Sequence, residues 1–162
     1  MALDERAFLE VYRRLEVPLY NVLYRMLWNA AECQDVAHDA YLRVWARRTQ
    51  VRDEGVEALV YATALNLASN RLRWQRLRQW TGLEATEAAE TDAPAAAAEQ
   101  AGLRAAMARM PRAAREVLLL SEFAGLSGEE IARLVGIPAG TVASRKHAAL
   151  RWLRERMEQD DA

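Results

Sequence analysis

"LSGEEIARLVGIPAGTVASRKHAALRWLR", residues 126–154, decides the fold of this chain. Ser127 is a good helix N-cap, and Glu130 sits three residues on, the spacing of a capping box. Leu126 and Ile131 flank it as a hydrophobic staple. Gly136 closes the short helix that follows. Ile137 and Pro138 turn the chain, and a longer run with helical spacing begins at about Gly140. A short capped helix, a tight glycine-containing turn and a longer helix predict a helix-turn-helix.

At about 100° per residue, Val142, Ala149 and Leu153 share one face of the longer helix with Lys146, and that face is expected to pack inward. Ser144, His147, Ala148 and Arg151 fall on the opposite side, with Gly140 and Ala143 near its edge and Arg145 on a flank. Thr141 lies in the first turn, where backbone N–H groups and the helix dipole favour a phosphate. Small residues let such a helix sit deep in a major groove, where Ser and Arg reach base edges. A solvated face with ordinary charge is the plain alternative. The cap, staple and turn in front of it favour DNA.

Outward from this stretch, "MPRAAREVLLLSEFAG" (110–125) reads as another helix, with Pro111 near its start and Gly125 past its end. The segment "TGLEATEAAETDAPAAAAEQAG" (81–102) has almost no large apolar residue, is acidic and Ala-rich, and contains Pro94. It cannot build a core and is expected to be a flexible linker. It divides an N-terminal block, 1–80, from a C-terminal block, 103–157, with an acidic tail at 158–162. In the first block, Phe8, Val11, Tyr12 and Leu15 have helical spacing. Pro18 is expected to begin or bend a second helix through about Asn29. Further helices are expected over 31–48 and 58–80, with a loop at 49–57. Strand signals are missing. The expected fold class is all-α: two small helical domains joined by an acidic linker.

Net charge is −1 over 162 residues, but its distribution is uneven. Residues 1–80 hold twelve arginines against ten acids, 81–102 hold five acids and no base, and 103–157 hold ten bases against five acids. Basic blocks of this kind attract phosphate backbones. The lone cysteine, Cys33, excludes an internal disulfide. Cys33 and His38 alone do not make a metal site, and Asp35 and Asp39 without a pocket do not make an acid–base pair; no catalytic residue and no cofactor is indicated. No apolar run approaches the ~20 residues needed to span a membrane. The acidic start "MALDERAFLE" is unlike a signal peptide, so a cytoplasmic protein is expected.

Two features of the N-terminal block point to partners. On 31–48, Ala37, Tyr41, Val44 and Trp45 form an expected inward stripe, leaving Asp35, His38, Asp39 and Arg43 for a basic partner surface or for solvent. The stretch "NRLRWQRLRQW" (70–80) interleaves Arg71, Arg73, Arg76 and Arg78 with Trp74 and Trp80. Arginines contact phosphates and aromatic faces stack unpaired bases; alternatively the tryptophans are core.

These stretches together resemble the extracytoplasmic-function sigma factors of bacterial RNA polymerase, in the sigma-70 family. "GLSGEEIARLVGIPAGTVASRKHAALRWLR" is similar to their promoter-binding region 4. "ECQDVAHDAYLRVW" and "YATALNLASNRLR" are similar to their region 2, in family order. Lys146 stands where the family usually has a core Leu, Ala143 and Ala148 where it often has Lys or Arg, His38 where it has Gln, and Asn70 where it has Asp. Leu59 stands for an aromatic, and Ala62 and Leu65 for basic residues. The resemblance implies minus-35 recognition by Thr141, Ser144, Arg145, His147 and Arg151. It implies minus-10 recognition and melting by Asn66, Asn70, Arg71, Arg73, Trp74 and Arg76, with a flipped base received around Asn66, Asn70 and the loop 49–57. It also implies docking of Asp35, His38, Asp39 and Arg43 on the clamp helices of the polymerase β′ subunit, contact with the β flap, and an anti-sigma partner. A stand-alone helix-turn-helix regulator with a sensing or dimerising N-terminal bundle is the alternative, and an α-helical adaptor without DNA contact a third reading.

Overall fold

A computed structural model describes residues 2–82 and 94–160, with side chains left undescribed at 94–99 and 160. The described residues form seven α-helices and one 3-10 turn, with no strand. In the N-terminal block α1 spans Glu5–Leu27, α2 Ala30–Ala46 and α3 Val56–Trp80; the 3-10 turn at Asp53–Gly55 leads into α3. In the C-terminal block α4 spans Pro94–Arg109, α5 Arg112–Glu122, α6 Gly128–Val135 and α7 Ala139–Asp160.

Local chemistry sets most of the boundaries. Asp4 caps α1, its Oδ1 accepting from the Ala7 amide at 2.7 Å. Trp28 ends that helix in the left-handed region at φ 54°, and Asn29 then caps α2 by accepting from the Glu32 amide at 3.0 Å. Two consecutive caps thus make a tight corner with almost no loop. The expectation that Pro18 begins a second helix is corrected: α1 is one continuous helix that contains it. The proline removes the donor for the Arg14 carbonyl, a cost of roughly 3 kcal/mol. Around it Leu15, Leu19, Val22 and Leu23 are all buried, and burying a large aliphatic side chain contributes about 1.5–3 kcal/mol. Burial of the stripe outweighs the break.

The three N-terminal helices pack mutually around Leu19, Val22, Leu23, Val36, Val44, Val60 and Tyr61. The inward stripe of α2 is Cys33, Val36, Ala40, Tyr41 and Val44, with Ala37 and Trp45 at its half-buried margins. In the C-terminal block Leu119, Leu120, Ile131, Val142 and Ala149 form the buried centre. The expected linker 81–102 lies outside the described residues over 83–93. From Pro94 onward the chain is helix α4, whose last turns bury Ala106 and Met107. An alanine-rich stretch joins a helix once its end carries residues that pack.

The two blocks also touch each other. Helix α3 lies against α6, and α1 against α4 and α5. Arg112 Nη2 donates to Asn66 Oδ1 at 2.6 Å, and Arg76 donates to the Ala108 carbonyl.

Candidate nucleic-acid interface

The helix-turn-helix is built as its local sequence dictates. Ser127 Oγ accepts from the Glu130 amide at 3.1 Å, and Gly136 adopts φ 78°, its N–H returning to the Ala132 carbonyl at 2.9 Å. The next turn is closed by the amides of Thr141 and Val142 on the Pro138 carbonyl, at 3.0 and 3.1 Å. Those two amides are therefore spent, and the free donors at the start of α7 belong to Ala139 and Gly140, the first residues of the helix.

On α7, Val142 and Ala149 are buried while Ser144, His147, Ala148 and Arg151 are exposed. Thr141 and Arg145 are half-buried at the flanks. Ser144 Oγ donates to the Gly140 carbonyl at 3.0 Å. Its donor is thereby used within the helix, so the hydroxyl faces solvent as an acceptor, suited to a cytosine or adenine amino group. Lys146 is half-buried on the inner face, and its Nζ reaches Glu122 at 3.2 Å. The aliphatic stem covers apolar surface while the ammonium escapes to a carboxylate. At this exposure the pair is worth about 0–1 kcal/mol.

Helix α3 presents the second basic surface. Asn66, Asn70, Arg73, Trp74 and Arg76 are exposed and Arg71 is half-buried. Trp74 is 57% and Trp80 84% exposed, so neither is core; two large aromatic faces stand in solvent among guanidinium groups. Two members of this set are already engaged, Asn66 by Arg112 and Arg76 by Ala108. No pattern in the sequence signals these contacts, because they join residues 46 and 32 positions apart.

The proposed docking residues lie together on the outer side of α2. Asp35 and His38 edge a groove between α1 and α2 that Tyr12, Val17, Tyr20 and Tyr41 also line. Asp39 is paired within the helix with Arg43 at 3.2 Å. Tyr41 is buried, and its hydroxyl has no partner among the described residues. Burial raises its phenol well above the ordinary value. The Tyr61 phenol is pushed up to about 12 by burial, with Glu57 and then Glu130 adding; Glu130 acts from the other block. Burial likewise pushes the Cys33 thiol up to about 12, which leaves it protonated and a poor nucleophile or ligand. Among the described residues no three His, Cys, Asp or Glu side chains cluster as metal ligands, and no helix is long and apolar enough to cross a membrane.

Two family models match the chain in sequence order: Sigma-70 region 2 over residues 11–78 and Sigma-70, region 4, over residues 100–153. Together they span most of its length, and the chain belongs to the sigma-70 family, as a factor of the extracytoplasmic-function type. It is similar to the ECF RNA polymerase sigma factor SigW of Bacillus subtilis, at 24% identity over 95% of this chain and 90% of that protein. It is similar at 29% identity to the ECF RNA polymerase sigma factor SigL of Mycobacterium tuberculosis, over 87% of this chain and 83% of the relative. Among solved structures it resembles CnrH in complex with the cytosolic domain of CnrY, with a TM-score of 0.73, 20% identity, and coverage of 97% of this chain and 91% of that one. The sigma factor RpoE in complex with the anti-sigma factor NepR from Bartonella quintana aligns with a TM-score of 0.68 at 20% identity, over 93% and 95% of the two chains.

Proposed function

We propose that this chain is a dissociable specificity subunit that directs core RNA polymerase to particular promoters and helps open them. The observation that carries the reading is the outward face of α7, where Ser144, His147 and Arg151 stand exposed behind a capped helix-turn-helix. In this reading residues 103–157 take the minus-35 duplex, with Thr141 and Arg145 flanking the base-reading side chains. Residues 1–80 take the minus-10 strand through Asn66, Asn70, Arg71, Arg73, Trp74 and Arg76.

The protein makes and breaks no bond. A flipped base costs a few kcal/mol of unstacking, and stacking on an exposed aromatic face such as Trp74 returns about 1–3 kcal/mol per base. Differential binding to single strands over duplex then favours melting at the right sequence. The α2 side, from Asp35 and His38 to Asp39 and Arg43, docks on polymerase. Such a factor works in the cytoplasm, where polymerase and promoter are. One structural neighbour was solved with the cytosolic domain of CnrY and the other with the anti-sigma factor NepR, which supports an anti-sigma partner for this chain as well.

Transcription by core polymerase plus the full chain, over a library of randomised promoters, tests the reading. Enrichment of paired minus-35 and minus-10 elements is expected. Transcription no different from core polymerase alone would overturn it.

A further inference from the structure

Between the two blocks lies a cavity of about 170 Å3 that α1, α3, α4 and α5 all line. Its wall carries four guanidinium groups, Arg25, Arg76, Arg104 and Arg115, beside the amides Gln75 and Gln79. No carboxylate among the described residues lines it. The nearby acids are committed elsewhere: Glu116 pairs with Arg112 at 2.8 Å, and Glu32 accepts from Gln75 at 3.2 Å.

Arg115 is the unusual member. It is 5% exposed, and its Nε has no hydrogen-bond partner among the described residues. One long bond, from Nη1 to the Met107 carbonyl at 3.4 Å, serves a group with five donors. Burial first, and then the neighbouring Arg76, lower its pKa, with Glu116 opposing them only in part, the mark of a positive charge incompletely compensated. Burying an unpaired ion is strongly unfavourable. Arg25 offsets part of its own charge on the Trp28 and Phe123 rings, 5.1 Å from each. Arg76 uses one donor on the Ala108 carbonyl. Among the described residues, neither Arg104 nor Arg115 lies over such an aromatic face.

We propose that this cavity is a binding site for a small phosphate-type oxyanion, with the diphosphate group as its best fit. Guanidinium forks match phosphate oxygens in pairs. A cavity of this size holds several waters at about 30 Å3 each, and hence an anion with several oxygens. Because Arg25 and Arg76 come from one block and Arg104 and Arg115 from the other, the bound anion bridges them and holds them together. The site stands whether or not Arg76 also meets promoter DNA.

Isothermal titration of the full chain with pyrophosphate, at ionic strength held constant with chloride, tests this. A nucleoside diphosphate forms a second arm, separating a free anion from an esterified one. Saturable one-to-one binding of either is expected, with a Tm that climbs as the anion concentration rises. Arg104→Gln changes an exposed side chain and should fold normally; Arg115→Gln removes the buried charge. Each should weaken binding at least tenfold, while Arg13→Gln, on α1 but outside the cavity, should not. Should Arg115→Gln fail to fold, Arg104→Gln decides alone. No saturable binding of either anion, or equal loss in Arg13→Gln, would each overturn the site.

Discussion

Helices α3 and α7 carry the two basic surfaces, and they differ in what covers them. The outward face of α7 is open, its polar groups touching only their own helix, as Ser144 does at Gly140. The corresponding face of α3 is partly occupied, with Asn66 held by Arg112 and Arg76 by Ala108. In the proposed function the first surface can meet duplex DNA as it stands. On the second, Trp74 is open while Asn66 and Arg76 are held by the C-terminal block. The contrast fits the division of labour proposed for them. Duplex reading needs only a rigid, exposed helix, whereas single-strand capture is useful only after polymerase has positioned the promoter.

The largest expected effect comes from removing the support of α7. Leu119 is fully buried in α5, the helix on which α7 chiefly packs. Leu119→Ala should destabilise the fold by about 2–5 kcal/mol, read by chemical denaturation, and should abolish minus-35 discrimination along with it. A loss well under 1 kcal/mol would mean that α7 is held in place by something other than this core. Next comes the open face itself. Arg151→Ala should cost about 1–3 kcal/mol of promoter discrimination with the melting temperature unchanged, in footprinting with holoenzyme on minus-35 variants. Uniform weakening across all variants would make Arg151 a phosphate contact instead. The smallest effect probes the covered face. Arg112→Ala removes the exposed hydrogen bond to Asn66, worth about 1 kcal/mol, along with the pair to Glu116 on its own helix. Binding of a minus-10 single strand to the free chain should therefore rise about fivefold. Unchanged binding would show that the contact with Asn66 restrains nothing.

Much of the candidate site is legible in the amino-acid sequence. Ser127, Glu130 and Gly136 announce their helix ends through hydrogen bonds three or four residues long, and the periodicity of 142–153 assigns inner and outer faces of α7 from spacing alone. The exposure of Trp74 and Trp80 is not legible there, because an aromatic residue in a helix reads equally as core or as surface. Arg115 escapes notice for a related reason. It sits in "RAAREVLLLSE" on the same face as Leu118 and Leu119, one turn before them, and a charge on an apolar stripe is the signal that could expose it.

By itself the sequence determined the all-α class, the order of the helix-turn-helix and the faces of its second helix, since these depend on caps, turns and periodicity within a few residues. Only the tertiary structure decided that α1 passes through Pro18, that the end of α4 packs through Ala106 and Met107 and that four arginines from two blocks surround one cavity. Those outcomes rest on burial and on contacts between residues far apart in the chain, where the free energy belongs to the packed arrangement and no local pattern encodes it.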